Sequence, residues 1–313
     1  MHIAVIGGGT IGLSTASRLL EAGHQVTVIA RALTPETTSD VAAAFWSPGA
    51  MARGPRERAW ALESLPAFRG LASIPESGIA LVEQHALTDT SAPLPDLAEA
   101  GPARPVPAGR FPPPWSGWSI TAPRIDVPVY MPWLLEHVSS LGGEVRREAV
   151  DSIEALPAEY EAVVNCTGLG SATLLRDSAM FPIRGQVILV RRPTGLPDDV
   201  IHAEAGDVVT YIVPRSADVL LGGTYQYGES SMEVDAAIAT AIMERCSAFY
   251  PQLRGAEVLR HRVGLRPGRE SVRLEAERLA DGRFLVHNYG HGSIGHTLSW
   301  GCAAEVVQLL TGN

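Results

Sequence analysis

The stretch Gly7-Gly8-Gly9-Thr10-Ile11-Gly12 decides the fold class. It contains the pattern Gly-x-Gly-x-x-Gly, which permits a tight turn, close approach of a pyrophosphate, and close contact between a helix and a strand. A helix that opens at such a turn offers free N–H groups and the positive end of its dipole to phosphates. Alone the pattern is a weak signal, so its surroundings decide what it means.

The surroundings are those of a β-α-β unit. The apolar run 2–6 precedes the turn, and residues 10–22 have the apolar spacing of a helix that ends at Gly23. Residues 25–29, rich in Val and Ile, predict the next strand. Such units are right-handed and build parallel sheets, so we predict a dinucleotide-binding unit at this end of the chain.

Apolar patterns predict further helices and strands along the chain. Helices are predicted at 56–68, 129–141, 234–250 and 297–310, with Pro132 in the first turn of the second. Strands are predicted at 161–165, 187–190, 208–213, 219–221 and 284–288. Residues 93–123 are dense in Pro and Gly, but their Trp side chains favour ordered surface loops with one or two strands.

Composition excludes several classes of protein. The 313 residues carry a formal net charge of −9 and no basic stripe, so nucleic acid is not expected as a partner. The three cysteines are far apart, which is unlike a disulfide framework, and no metal site is predicted. No run approaches the roughly 18 apolar residues of a membrane span, and no targeting segment is recognised. A cytoplasmic location is expected.

The end of the second predicted strand departs from the usual dinucleotide pattern. An acidic residue normally holds the ribose hydroxyls there, whereas this chain has Ala30 and Arg31. Arg31 could meet a 2′-phosphate, which would favour NADP. It could equally lie against the pyrophosphate or adenine of FAD, or be a solvated surface residue. The local pattern does not choose between the two cofactors.

Four further stretches, in order along the chain, resemble the D-amino-acid oxidases. They are TPETTSDVAAAFWSP at 34–48, VNCTG at 164–168, the run YIVP at 211–214 with LGGTY at 221–225 and GLRP at 264–267, and HNYGHGSIGHT at 287–297. The match covers most of the chain and is weakest at about 53–130. The resemblance implies FAD as the cofactor.

The resemblance also implies the architecture. We expect an α/β protein with a Rossmann-like FAD-binding domain built from the discontinuous segments 1–52, 136–180 and 265–313. A mostly antiparallel-sheet substrate-binding domain would comprise residues 53–135 and 181–264.

Most cofactor-binding residues are predicted from the glycine turn and three of the family stretches, and Ala30, Arg31 and Val150 are predicted outside them. Hydroxyl and N–H groups at 37–39 suit pyrophosphate oxygens, and the small residues 42–44 allow a flat isoalloxazine to lie against the backbone. The last helix N-terminus can stabilise negative charge on a reduced flavin. The full set is Gly7, Gly9, Thr10, Ile11, Gly12, Ala30, Arg31, Thr37, Thr38, Ser39, Ala43, Ala44, Trp46, Val150, Thr167, Gly168, Gly292, Ser293, Ile294, Gly295, His296 and Thr297. By resemblance Thr297 hydrogen-bonds the flavin; the alternative is a helix N-cap.

Substrate chemistry needs a group that holds a carboxylate. Arg266 matches the family arginine that does so, and a guanidinium pairs with a carboxylate in a planar, bidentate way. Tyr211 matches a tyrosine that adds a second bond, and Tyr225 one present in some members; for both, the alternative is a core aromatic. Ser293 falls where a backbone carbonyl meets the substrate amine. His291 and His296 could act as catalytic bases, but we interpret them as structural.

The predicted reaction is FAD-dependent oxidation of a D-amino acid by hydride transfer to flavin N5. It gives an imino acid, then an oxo acid and ammonia, with hydrogen peroxide formed from molecular oxygen. The alternatives are an oxidase or dehydrogenase of glycine, sarcosine or a cyclic or N-substituted amino acid, an NADP-dependent reductase, and a non-catalytic flavoprotein. Neutral side chains are expected in the substrate, and a homodimer is possible. The tyrosine lid of the vertebrate enzymes is replaced by residues 206–208.

Overall fold

The computed structural model describes residues 1–90 and 99–312, and all of its helices and strands lie within those ranges. The helices are α1 (Thr10–Glu21), α2 (Pro55–Leu71), α3 (Val127–Ser140), α4 (Ser171–Leu174), α5 (Ala236–Phe249) and α6 (Gly295–Thr311). The strands are β1 (His2–Ile6), β2 (Gln25–Ala30), β3 (Ile79–Thr88), β4 (Arg104–Pro105), β5 (Ser116–Ile125), β6 (Glu144–Arg147), β7 (Ala162–Asn165), β8 (Phe181–Val190), β9 (Val200–Ala205), β10 (Val208–Pro214), β11 (Val219–Gly222), β12 (Gln226–Tyr227), β13 (Val258–Gly268), β14 (Arg273–Arg278) and β15 (Phe284–Tyr289).

The first sheet has the strand order β14-β15-β7-β1-β2-β6 and is parallel except for β14. Its central strands are buried on both faces, as expected for a sheet covered on both sides. Helices α1, α2, α3 and α6 pack together on one face over a core that includes Val5, Leu13 and Leu298. Because the strands are parallel, the turns after β1, β2, β6 and β7 meet at one edge.

The second sheet has the order β12-β8-β11-β10-β9-β3-β5-β4, with β13 paired to β8. All its pairs are antiparallel except β3 with β9. Helix α5 covers one face, where Ile242 and Cys246 pack against Ile212 and Leu221. The opposite face carries Tyr211 and turns toward a large cavity between the two sheets.

The α/β class predicted from the sequence is confirmed, and β1, α1 and β2 form the predicted unit. The placement of Pro132 in a first turn is wrong. Helix α3 begins two residues earlier, so Pro128 takes the first turn and Pro132 lies in the second, inside the helix. In the predicted loop region, β4 and β5 form, and residues 93–98 lie outside the described part of the chain.

The first sheet draws its strands from residues 2–30, 144–165 and 273–289, and the second draws its strands from 79–125 and 181–268. The exact domain boundaries expected from the sequence stay predictions. Within residues 1–90 and 99–312, no helix combines the length and apolar character needed to cross a membrane.

Candidate active site

A cavity of about 680 Å³ is lined by residues of both sheets. One end lies at the carboxyl edge of the first sheet, against the turns that follow β1, β2 and β7. The other end reaches the face of the second sheet that carries Tyr211. Ligands of open parallel sheets bind at this carboxyl edge.

The glycine turn has no room for side chains. A Cβ at Gly7, whose φ is +124°, would lie 2.5 Å from the carbonyl oxygen of Cys166. A Cβ at Gly12 would lie 1.9 Å from the carbonyl oxygen of Gly7, and one at Gly9 would lie 2.9 Å from Ser39 Oγ. Gly7 and Gly9 line the cavity, whereas Gly12 lies beneath the turn and allows α1 to approach it.

The segment after β2 is fixed by its own hydrogen bonds. Asp40 is buried and accepts the Thr37 N–H at 2.9 Å and the Thr37 hydroxyl at 2.6 Å, so that hydroxyl is already engaged within the chain. Ser39 Oγ accepts the first N–H of α1, from Thr10, at 3.0 Å. Ala44 lines the cavity with a φ of +50°.

Trp46 does not line the cavity. Its ring is fully buried in the core between the first sheet and helices α1, α2, α3 and α6. Its indole N–H donates to the carbonyl oxygen of Ala61 at 2.9 Å. The Trp in the family-like stretch therefore anchors that stretch to α2. The remaining predicted cofactor-binding residues line the cavity: Thr10, Ile11, Ala30, Arg31, Thr37, Thr38, Ser39, Ala43, Val150, Thr167, Gly168, Gly292, Ser293, Ile294, Gly295, His296 and Thr297.

Thr297 joins the start of α6 to the segment that follows β2. Its hydroxyl accepts the Ser47 N–H at 3.1 Å and donates to the carbonyl oxygen of Phe45 at 3.3 Å. Because α6 begins at Gly295, with Ile294 as its N-cap, the alternative that Thr297 is the N-cap is wrong. The turn before α6 is tied to β13 through the Gly292 N–H, which donates to the Pro267 carbonyl at 2.8 Å.

The structure brings Arg266, Tyr211 and Tyr225 together at the second-sheet end of the cavity. The Arg266 guanidinium donates to the Thr224 carbonyl at 2.9 Å and to the Tyr211 hydroxyl at 3.5 Å, and it lies 4.4 Å from the centroid of the Tyr225 ring. Burial raises the pKa of Tyr211 to about 12, so its hydroxyl remains a donor at neutral pH. This arrangement suits a carboxylate.

Several cavity residues escaped the sequence analysis. Arg53 donates to Ser293 Oγ at 3.2 Å, and His202 lies 3.6 Å from the Glu204 carboxylate. His202 and Glu204 alternate with the buried Ile201 and Ala203, a period-two pattern that would have predicted β9 and its cavity face. Burial lowers the pKa of His202, so the imidazole is neutral at pH 7.

A family model described as FAD dependent oxidoreductase matches residues 2–309. The chain belongs to this family. It is 45% identical over 97% of its length to the D-amino-acid oxidase of Rubrobacter xylanophilus, covering 94% of that protein. It is 40% identical over 98% of its length to the D-amino-acid oxidase of Streptomyces coelicolor, covering 96% of it. The structure of glycine oxidase from Geobacillus kaustophilus covers 99% of the chain with a TM-score of 0.80 at 21% identity; the chain covers 94% of it.

FAD is therefore the cofactor, as predicted, and the residues present fit it. The glycine turn leaves a cradle that any Cβ would fill, as the distances at Gly7 and Gly9 show. Within the described part of the chain, His291 Nε2 and His296 Nδ1 are buried without a hydrogen-bond partner in residues that line the cavity. These two atoms are available to hydrogen-bond a polar ligand in the cavity.

The two buried histidines of this site make stability depend on pH. Burial lowers the pKa of His291 to about 3 and that of His296 to about 4. Below pH 6.5 the unfolded chain binds protons that the folded chain does not, so the free energy of unfolding falls as the pH falls toward 4. The dependence of the free energy of unfolding on pH therefore has a positive slope in this range. We expect His291→Gln to reduce that slope by up to about 1.4 kcal/mol per pH unit, measured by urea unfolding of the apoprotein. The exposed His261 on β13 is the control: His261→Gln should keep the wild-type slope, and an equal slope in all three proteins would contradict the prediction.

Proposed function

We propose that the protein oxidises D-amino acids, with the substrate carboxylate held by Arg266 and Tyr211. The observation that carries this proposal is the convergence of the guanidinium and the protonated hydroxyl at the end of an FAD-type cavity. The two relatives named as D-amino-acid oxidases support it, since each aligns with nearly the whole chain.

The chain contributes position rather than reactive groups. Arg266 and Tyr211 fix one end of the substrate, and the carbonyl of Ser293 accepts a hydrogen bond from its amine. Two anchors fix the direction of the α-C–H bond, and orientation of this kind is worth up to roughly 7–11 kcal/mol. FAD, held by the glycine turn and the start of α6, would supply the redox chemistry when bound: oxidation of the substrate by hydride transfer, and reoxidation by oxygen with formation of hydrogen peroxide. Because the reacting amine must be neutral, activity should rise with pH.

The charges on the cavity wall favour substrates with a neutral side chain. Arg53 and Glu204 place opposite charges on the cavity wall, and His202 beside Glu204 is neutral. A substrate with one charged side chain would be attracted to one of these groups and repelled by the other. A small neutral side chain is repelled by neither group.

The proposal is tested by adding D-amino acids to the purified flavoprotein without oxygen. We expect the flavin absorption bands to bleach with small neutral D-amino acids and to return when air is admitted, with one hydrogen peroxide formed per oxo acid. The matching L-amino acids serve as controls. Bands that persist with every D-amino acid but bleach with glycine or sarcosine would move the assignment to an oxidase of those compounds. Bleaching without recovery in air would indicate a dehydrogenase.

The cellular location and the oligomeric state of the protein are our predictions. We place the protein in the cytoplasm, and we consider a homodimer possible. Sedimentation of the holoenzyme would determine the oligomeric state.

A further inference from the structure

The carboxyl ends of β2 and β6 lie side by side at the cavity edge. The two strands are parallel, with Ala30 opposite Arg147, so Arg31 and Glu148 are the next residues on neighbouring strands. The Glu148 N–H donates to the Ala30 carbonyl at 3.0 Å, which continues the strand pairing by one residue. Arg31 and Glu148 both line the cavity.

This edge is where a dinucleotide fold usually presents the carboxylate that binds ribose hydroxyls. Residues 30–33 supply none, and the first acidic residue after β2, Glu36, forms an ion pair with Arg147 at 2.5 Å. Within residues 1–90 and 99–312, the Glu148 carboxylate forms no ion pair and no hydrogen bond. Its backbone bond to Ala30 places it next to the position where the usual acidic residue would stand.

We propose that Glu148 binds the ribose hydroxyls of the adenosine half of FAD, so that β6 supplies the carboxylate that β2 lacks. Arg31, on the adjacent strand, provides the balancing positive charge. The same carboxylate would repel a 2′-phosphate. An arginine after β2 is therefore compatible with a protein that uses FAD rather than NADP. This inference depends on the cofactor of the family and not on the identity of the substrate.

The test compares FAD with its analogue that lacks the adenosine 2′-hydroxyl. Each is titrated into wild-type apoprotein and into Glu148→Ala, and the dissociation constant is taken from the quenching of flavin fluorescence. We expect the wild type to bind the analogue about tenfold more weakly than FAD. Glu148→Ala should bind FAD about tenfold more weakly than the wild type, and it should bind both flavins equally.

Controls separate a specific contact from a general disturbance. Asp151→Ala removes another exposed carboxylate that lines the same end of the cavity, and it should keep the wild-type preference for FAD. Glu148→Leu, which keeps a side chain of similar size but has no hydrogen-bond acceptor, gives the same comparison if the alanine variant does not fold. Unchanged FAD affinity in the Glu148 variants, or an unchanged ratio between the two flavins, would overturn the proposal. None of these measurements requires turnover.

Discussion

Replacing Arg266 by methionine is expected to lower kcat/KM for the preferred D-amino acid by roughly 10²- to 10³-fold, while the protein stays yellow. The guanidinium is held by Thr224 and by the Tyr225 ring, so its donors are oriented before a substrate binds. Methionine has a similar length but cannot pair with a carboxylate, and loss of one partner of a buried charged pair costs about 3–4 kcal/mol. Steady-state peroxide formation measures the loss, and the flavin spectrum measures cofactor retention.

Two variants control this result. Arg266→Lys keeps the charge without the planar fork and should recover only part of the activity. Arg260→Met removes an exposed arginine from the same strand, β13, and should leave kcat/KM unchanged. If Arg266→Met turned over D-amino acids at the wild-type rate, the carboxylate would be held elsewhere and the proposed function would lose its main support.

The dinucleotide-binding unit was predictable because its determinants are local. The glycine turn, the apolar run before it and the helical spacing after it all fall within 30 residues, and the structure places them as expected. Arg266 was found for a similar reason, since Gly264 and Pro267 mark it within a short stretch that resembles the family.

Strands that depend on distant partners were harder to predict. Strand β13 carries exposed charged residues such as Arg260 and is held by pairing with β8, some 75 residues earlier in the chain. Strand β5 contains Pro123, a residue type that argues against a strand. The strand is held by a distant segment, since the Pro123 carbonyl accepts the backbone N–H of Trp46 at 2.8 Å. Glu148 gains its significance only from the neighbouring end of β2, which no local pattern reveals.

The second large effect is expected from Gly222→Ala, although this residue has no side chain to contribute. Gly222 lies opposite Tyr211 in the pairing of β10 with β11, and its Cβ would lie 2.1 Å from the Tyr211 ring. Gly223 lies against the other edge of the ring, where a Cβ would be 2.3 Å away, so a small sideways shift cannot relieve the clash and the ring must leave its position. We expect the variant to raise KM for the D-amino acid at least about tenfold, more than Tyr211→Phe does, because the whole ring and not only the hydroxyl is displaced.

A double-mutant cycle separates this steric effect from general damage to the sheet. In a Tyr211→Ala background the space opposite Gly222 is empty, so Gly222→Ala should cause little further loss, and the two changes should be strongly non-additive. Gly70→Ala on α2 is the matched control, because a Cβ there meets nothing within 4 Å. Additive losses would mean that Gly222 acts on the fold rather than on the tyrosine. Strong coupling would mean that the two glycines place the Tyr211 hydroxyl beside Arg266, so that the backbone of β11 contributes to substrate binding without touching the substrate.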